Sequence, residues 1–383
     1  MKVKSIHLRR LQLPMQEPFE TSFGVEEDKD VILVQLETES GCMGYAECVA
    51  MSAPLYSEET TGTAWHILTD FLVPFLFQTP ALTDLTRVED LLQVRHHFAR
   101  FKRNQMAKAA LEMALWDAFA AETNTPLADL LGGDKVAIPV GISVGIQSST
   151  TALLKKVEGY LKQGFQRIKV KIKPGYDLEP LTALRQAFGD IPLMADANSA
   201  YTLADVDTFR RLDSLGLMMI EQPLAHDDLF DHATLQQQLA TPICLDESIH
   251  HAEDAQKAIE HGACRIINLK LGRVGGFGEA LAIHEVCQAH GVPLWCGGML
   301  ETGIGRLHNI AITALPGFTL PGDTAPSARY FAEDLIDPPV VFTRPGFLAV
   351  EPLCGVGARV RADRLEKWTV EEAHLTRKDV VGL

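Results

Sequence analysis

From residue 137 onward, short apolar segments alternate with stretches of helical character, and this alternation constrains the fold more than any other feature. Helix-like stretches such as DVDTFRRLDSL and FGEALAIHEVCQAHG follow the apolar segments. The eight segments are AIPVGISV, RIKVKI, PLMADAN, LMMIEQP, PICLDES, RIINLKL, PLWCGG and FTLPGD. Alternating strands and helices indicate a parallel sheet, and eight such units predict an α/β fold in which the sheet closes into a (β/α)8 TIM barrel.

The first 130 residues follow a different pattern. Residues 1–50 contain strand-like segments around a Glu-Ser-Gly turn, and the sequence from about 58 to 130 has helical periodicity. The tail from about residue 327 is mixed and interrupted by prolines, and we expect it to pack back onto the N-terminal part. We therefore predict three segments: an α+β part at 1–130, the barrel at 131–326 and a returning tail at 327–383.

The composition excludes several classes of function. The 383 residues include 35 Lys and Arg against 50 Asp and Glu, and the net charge of −15 repels nucleic acids and anionic membranes. No apolar run approaches the ~20 residues of a membrane span, and the first strand-like segment lacks the apolar core of a signal peptide. The seven scattered cysteines form no CxxC motif and are typical of a reducing cytosol, so we predict a cytoplasmic protein.

Polar residues stand at the carboxyl ends of five consecutive apolar segments. They are Lys171, Asp196, Glu221, Asp246 and Lys270. Their spacings of 25, 25, 25 and 24 residues are about the length of one βα unit, so the side chains recur at the same height on consecutive strands. That height is the C-terminal rim of the barrel, where barrel enzymes have their active sites.

Three carboxylates at one height, those of Asp196, Glu221 and Asp246, would converge and repel one another. A divalent cation resolves this repulsion, and oxygen ligands without a His or Cys pattern favour a hard ion, most simply Mg²⁺. For a single aspartate at a strand end, the alternative is a cap on the following helix. Three carboxylates in register, flanked by two lysines, favour the metal site.

Lys169 and Lys171 are two residues apart on one strand, so their side chains point to the same face. We place them inside the barrel, because the alternating Ile and Val residues then face the helices. A lysine inside the barrel and near another cation is expected to have a lowered pKa and to serve as a base. Lys270 lies four strands further round, on the opposite side. A metal between such lysines suits the removal of a proton α to a carboxylate.

Six motifs together resemble the enolase superfamily, in its muconate-lactonizing subgroup. They are KVK at 169–171, DAN at 196–198, EQP at 221–223, DES at 246–248, NLKLGRVGG at 268–276 and GGMLETGIGR at 297–306. The resemblance covers essentially the whole chain and implies a modified (β/α)8 barrel with an α+β capping domain built from both termini. Within the superfamily, the motifs are most similar to those of o-succinylbenzoate synthases and N-succinylamino acid (N-acylamino acid) racemases.

The resemblance implies a role for each matching residue. The three rim carboxylates would bind Mg²⁺, for which Mn²⁺ could substitute. Lys171 would remove the α-proton, Lys169 would support it and contact the substrate carboxylate, and Lys270 would stabilise the enediolate or act as a second acid/base. Arg273 matches an arginine associated with racemase-competent members. The other implied substrate contacts are Ser143, Asn198, Gly298 and Met299, with Phe19, Phe23, Met51 and Tyr56 as apolar contacts from two capping-domain loops.

The resemblance further implies a small anionic carboxylate substrate, a homo-oligomer and one of two activities. One is dehydration to o-succinylbenzoate in menaquinone biosynthesis, a lyase reaction, and the other is racemisation of N-succinylamino acids by Lys171 and Lys270. A barrel that only binds or assembles is a third hypothesis, disfavoured because all five rim positions are intact. CGG at 296–298 replaces the histidine of mandelate-racemase-like members, and only Asp323 stands where dipeptide epimerases carry DxD.

Overall fold

The computed structural model of the chain describes residues 1–21 and 24–379 and arranges their strands in three sheets. The strands are β1 Val3–Glu20, β2 Val25–Thr38, β3 Met43–Cys48, β4 Ala137–Pro139, β5 Gly141–Val144, β6 Arg167–Lys171, β7 Leu193–Asp196, β8 Ile220–Glu221, β9 Ile243–Leu245, β10 Ile266–Leu269, β11 Leu294–Cys296, β12 Phe347–Ala349 and β13 Thr369–Thr376. The α-helices are α1 Thr61–Ile67, α2 Val73–Gln78, α3 Pro80–Thr83, α4 Val88–Phe98, α5 Gln105–Thr123, α6 Leu127–Leu130, α7 Thr150–Lys162, α8 Leu178–Phe188, α9 Val206–Asp213, α10 Leu229–Gln236, α11 Ala252–Glu260, α12 Leu271–Val274, α13 Phe277–His290, α14 Gly303–Thr313 and α15 Ala362–Trp368. Among these described helices, none combines the length and the apolar character needed to cross a membrane.

An antiparallel sheet in the order β13-β1-β2-β3 forms the core of the capping domain. In β1, Ile6, Leu8, Leu11 and Leu13 are buried. The pairing of β1 with β13 shifts its register between Arg10 and Leu11, where β13 contains an extra residue. Strand β13, from the C-terminal segment, pairs with β1. Both the first and the last strand therefore contribute to one sheet, while the domain boundaries given above stay predictions.

Helix α5 packs against β2 and β3 on one side and against α12 and α13 of the barrel on the other. Its many Ala and Leu residues favour the helical conformation, and the helix is buried from Gln105 to Ala120. Gly44 on β3 permits the close approach of the sheet, because a Cβ atom there would lie 2.3 Å from the carbonyl oxygen of Ala114. Helix α5 therefore joins the capping domain to the barrel.

The barrel sheet consists of parallel strands β5 to β11, which follow one another in chain order. The segment after α14 completes the ring through isolated bridges, from Phe318 to Leu294 and from Gly322 to Val140. We predicted a strand for this eighth segment, but it forms only these bridges, because Pro321 has no backbone N–H with which to continue a ladder. The predicted α/β barrel, accompanied by a separate antiparallel domain, is confirmed.

Two layers of side chains fill the interior of the barrel. The apolar layer consists of Met194, Met219, Cys244, Ile266 and Trp295, all of which are buried. Residues i and i+2 of a strand point to the same face, so the residues two positions further along form a second layer above the first. That second layer contains the rim carboxylates. The apolar layer therefore supports the candidate site from below.

Candidate active site

Three carboxylates lie side by side at the carboxyl ends of β7, β8 and β9. Asp196 is the register partner of Glu221, Asp246 directly follows β9, and all three side chains are fully buried. Burial and the neighbouring Asp196 raise the pKa of Glu221. Burial also acts to raise the pKa of Asp196, but the ammonium groups of Lys171 and Lys169 outweigh it and lower this pKa to about 2. The negative charge of these buried carboxylates therefore depends on nearby cations.

Two lysines of β6 supply part of that positive charge from inside the barrel. Lys171 Nζ donates to Asp196 Oδ2 and to Asn198 Oδ1, each at 2.6 Å. Lys169 Nζ lies 2.7 Å from Asp323 Oδ2 and 3.3 Å from Asp196 Oδ2. Lys171 is thus held at the rim of the barrel. Lys169, two residues earlier on β6, lies deeper in the barrel and is enclosed by carboxylates.

Lys270 lies across the barrel, directly after β10. Its Nζ is 2.8 Å from Asp246 Oδ2 and 3.1 Å from Tyr56 Oη, and it stands 4.4 Å from the centroid of the Tyr56 ring. Arg273 Nη1 contacts Asp246 Oδ1 and lies 3.2 Å from Tyr56 Oη. The resemblance implied an apolar contact for Tyr56. In the structure, its hydroxyl instead bridges two cations and a carboxylate.

The pKa of Lys169 differs from the expected downward shift. Burial acts to lower the pKa of Lys169, but the carboxylates of Asp323 and Glu221 reverse this effect and raise the pKa above its ordinary value. Burial also acts to lower the pKa of Lys270, whereas Tyr56 and Glu247 raise it, and the net shift is upward. The prediction was therefore wrong for Lys169, because it considered the neighbouring cation and not the surrounding carboxylates.

The ligand atoms at the rim are carboxylate oxygens, which suit a hard divalent cation. Three buried carboxylates share one rim, and beside them the buried Glu247 has an Oε2 atom without a hydrogen-bond partner among the described residues. In the structure, each rim carboxylate contacts a lysine ammonium instead. Within residues 1–21 and 24–379, no three His, Cys, Asp or Glu side chains are arranged to hold a metal ion. A cation and the ammonium groups therefore compete for the same oxygens.

A cavity that is partly open to solvent lies between the barrel rim and the capping domain. Ten of the expected site residues line it: Phe19, Met51, Tyr56, Ser143, Lys169, Lys171, Asn198, Lys270, Gly298 and Met299. The hydroxyl of Ser143 is buried there without a hydrogen-bond partner among the described residues. The rim carboxylates stand behind the lysines, and Arg273, expected to contact substrate, stands behind Asp246. Phe23 lies outside the described residues.

Seven further residues line the cavity although the motifs did not assign them to the site. They are Thr21, Glu26, Lys29, Asp30, Leu300, Asp323 and Tyr330. Lys29 and Asp30 belong to β2 of the capping domain, so their proximity to the barrel rim depends on domain packing and leaves no local sequence signal. Asp323 did have a signal, because it follows the eighth apolar segment as the rim residues follow theirs.

A capping domain over a (β/α) barrel, with buried carboxylates and lysines on both sides of one cavity, defines a class of capped barrel enzymes. Residues 5–132 match the mandelate racemase / muconate lactonizing enzyme N-terminal domain, and residues 152–364 match the enolase C-terminal domain-like family. The chain therefore belongs to the mandelate racemase / muconate lactonizing enzyme family of the enolase superfamily. The predicted membership of this superfamily is confirmed.

Two curated relatives cover nearly the whole chain. The o-succinylbenzoate synthase of Geobacillus stearothermophilus is 51% identical over 369 residues, 96% of this chain and 96% of that protein. The N-succinylamino acid racemase of Amycolatopsis sp is 45% identical over 370 residues, 96% of this chain and 98% of that protein. These relatives are enzymes, and the two activities match the two that the motifs imply.

Solved structures agree with the fold. A member of the enolase superfamily from Listeria innocua Clip11262 has a TM-score of 0.93 at 41% identity, covering 98% of this chain and 100% of that one. The dipeptide epimerase of Cytophaga hutchinsonii, solved with Mg and the dipeptide D-Ala-L-Val, has a TM-score of 0.84 at 26% identity, covering 98% and 100%. A structure with the same fold therefore contains Mg.

Proposed function

We propose that the chain is a Mg²⁺-dependent o-succinylbenzoate synthase, which dehydrates 2-succinyl-6-hydroxy-2,4-cyclohexadiene-1-carboxylate in menaquinone biosynthesis. The observation that carries the proposal is the position of Lys171 and Lys270, which approach one cavity from opposite strands in front of three buried carboxylates. The 51% identity to a synthase over 96% of both chains supports the choice of reaction and substrate.

Lys171 would carry the proton through both halves of the reaction. As an amine, its Nζ takes the proton from C1, and the electrons of the C–H bond move toward the carboxylate to give an enediolate. The ammonium of Lys270, on the other side, stabilises the negative charge. The Lys171 ammonium then gives its proton to the hydroxyl on C6, the C–O bond breaks on the same face, and water leaves. The ring becomes aromatic and Lys171 is again an amine.

Asp196, Glu221 and Asp246 would hold the Mg²⁺, and Mn²⁺ would substitute for it, because both ions accept carboxylate ligands. When bound, the ion supplies Lewis-acid stabilisation of the charge that develops on the substrate carboxylate. Lys169, fixed by Asp323, would add a permanent positive charge beside that carboxylate. The unpartnered Ser143 hydroxyl is available to donate a hydrogen bond to the substrate.

Turnover measured with Mg²⁺ and again with EDTA tests the proposal. We expect formation of o-succinylbenzoate that stops when the metal is removed. Lys171→Ala should lower kcat by a factor of about 10²–10⁴, the usual contribution of a general acid–base group, without loss of Mg²⁺ binding. Lys173→Ala is the matched control, because it removes a half-buried lysine two residues away that pairs with Glu20 and does not line the cavity. Wild-type turnover in Lys171→Ala would contradict the mechanism.

A second activity, racemisation of N-succinylamino acids, is favoured by the presence of a lysine on each side of the cavity. Lys171 and Lys270 would exchange protons with opposite faces of Cα. The identity of 45% to a racemase supports this activity at the same site. Proton exchange in deuterated water, starting from each enantiomer in turn, provides the test. Exchange from both enantiomers is expected, and exchange from only one would contradict a two-base racemase.

We also propose that the enzyme is cytoplasmic, acts on small anionic carboxylates and forms homo-oligomers. All seven cysteines are free thiols and five of them are buried, as suits a reducing compartment. Analytical ultracentrifugation of the purified protein measures its assembly state, and a monomer at micromolar concentration would contradict the oligomer.

A further inference from the structure

Lys29 is a buried cation of the cavity that the mechanism above does not use. It extends from β2 of the capping domain, lines the same cavity as Lys171 and Lys270, and is only 3% exposed. Its Nζ donates one hydrogen bond, to the carbonyl oxygen of Met299 at 2.9 Å. No carboxylate in the described part of the chain lies within 4.0 Å of this Nζ. Since an ammonium has three donors, two of them have no acceptor in the described protein.

The other lysines of the cavity are satisfied by the protein itself. Lys169 is paired with three carboxylates, Lys171 with Asp196, and Lys270 with Asp246. Lys29 therefore differs from them, because it is buried at the cavity wall and retains donors for a ligand.

The carboxylates near Lys29 have partners of their own. Asp30, its neighbour on the cavity wall, forms a bidentate pair with Arg10 at 2.9 and 2.7 Å. Burial lowers the pKa of Lys29, and the carboxylate of Glu301 opposes this shift. Glu301 is itself paired with Arg306 at 3.1 Å. The charges of Asp30 and Glu301 are therefore already balanced when a ligand carboxylate approaches Lys29.

A further carboxylate, that of Glu26, also lines the cavity. Burial raises the pKa of Glu26 above its ordinary value, which reduces its tendency to carry a negative charge. It therefore opposes an incoming carboxylate less than an exposed glutamate would.

We propose that Lys29 binds the terminal carboxylate of the succinyl group of the substrate. The inference rests on the proposed function and adds the residue that recognises this part of the substrate. The two curated relatives described above are named for compounds that share a succinyl group. That group ends in a carboxylate remote from the carbon that loses its proton. With Lys171 and Lys270 on either side of that carbon, the second carboxylate needs another cation in the cavity, and Lys29 has the donors for it.

Two ligands that differ only in this carboxylate provide the test. In 2-butyrylbenzoate, a methyl group replaces the terminal carboxylate of 2-succinylbenzoate. Calorimetry on the Mg²⁺-loaded enzyme should show that the wild type binds the succinyl compound about 10- to 100-fold more tightly, the usual effect of hydrogen bonds to a charged group. Lys29→Met should remove most of this preference and leave the affinity for the butyryl compound within about threefold. Lys29→Arg should keep part of the preference.

Two results would overturn the assignment. One is a wild type that binds both ligands equally well. The other is a Lys29→Met protein that loses affinity for both ligands by the same factor, since Lys29 would then act only by holding the Met299 backbone. Activity assays test the proposed function separately, and the absence of both dehydration and racemisation would contradict it. The ligand pair decides the role of Lys29 in that case too, because binding is measured without turnover.

Discussion

The hydroxyl of Tyr56 connects the capping domain to one side of the barrel rim. Its removal should slow the reaction steps that depend on Lys270 and should not slow those that depend on Lys171. The oxygen lies 3.1 Å from Lys270 Nζ, 3.2 Å from Arg273 Nη1 and 3.2 Å from Asp246 Oδ1. Tyr56→Phe deletes this oxygen and keeps the ring beside the Lys270 ammonium. Lys171 has its contacts across the barrel, so the substitution does not touch it.

The size of the effect follows from these contacts and from the exposure of the side chain. A hydrogen bond that involves a charged group contributes about 1.5–3 kcal/mol. Tyr56 is half-buried, so water can replace part of what is lost, and we take the lower end, about 1.5 kcal/mol. Since 1.36 kcal/mol corresponds to tenfold in rate, steps that depend on Lys270 should slow by about tenfold.

Proton exchange in deuterated water, followed by NMR for each enantiomer of an N-succinylamino acid, separates the two lysines. Exchange of the enantiomer whose α-proton faces Lys270 should fall about tenfold in Tyr56→Phe, and exchange on the Lys171 side should stay within about twofold. Tyr201→Phe is the control, because it removes a hydroxyl that donates to Asp177 at 3.0 Å, away from the cavity. Equal losses on both faces, or no loss on either, would refute the reasoning.

Three further predictions concern charge, packing and pH. Asp323→Asn removes the nearest of the three carboxylates around the buried Lys169, at 2.7 Å, and the salt-bridge partner of the buried Arg167. It should therefore reduce the free energy of unfolding by roughly 3 kcal/mol in urea titrations and raise KM; an unchanged KM would contradict this. Gly44→Ala places a methyl group 2.3 Å from the backbone of α5 and should lower the free energy of unfolding by about 1–3 kcal/mol. Gly159→Ala in α7 has no atom within 4 Å of the added methyl group and should raise the free energy of unfolding by about 0.5–1 kcal/mol. A higher melting temperature for Gly44→Ala than for Gly159→Ala would be inconsistent with the packing. Burial raises the pKa of Glu112 from 4.5 to about 7, so the unfolded chain ionises first and stability should fall as the pH rises from 4.5 to 7. Glu112→Gln should flatten that part of the unfolding profile, and a profile of unchanged slope would show that another group is responsible.

The parts of the site that repeat with the βα unit could be predicted from the sequence. Asp196 and Glu221 end successive strands after a nearly constant number of residues, so a parallel register brings them to the same height without any knowledge of tertiary contacts. The eighth segment departs from this regularity because Pro321 interrupts its hydrogen bonding. Strand-like composition therefore predicted its position in the ring, and not its conformation.

The parts of the site that depend on contact between the domains could not be predicted in this way. Lys29 and the hydroxyl of Tyr56 reach the cavity only because α5 and Gly44 set how closely the capping domain approaches the barrel. The upward pKa shift of Lys169 depends on how many carboxylates surround one ammonium. Both are properties of a three-dimensional arrangement, and residue spacing along the chain does not encode them.

The position of β13 at the edge of the capping sheet affects how a nascent chain can fold. Strands β1, β2 and β3 leave the ribosome early, but β1 receives its second partner only when β13 has been synthesised. Until then, one edge of β1 presents unpaired N–H and C=O groups while the whole barrel is being made. Translation that stops before residue 369 would leave this edge open, and the truncated product would be prone to aggregate through it.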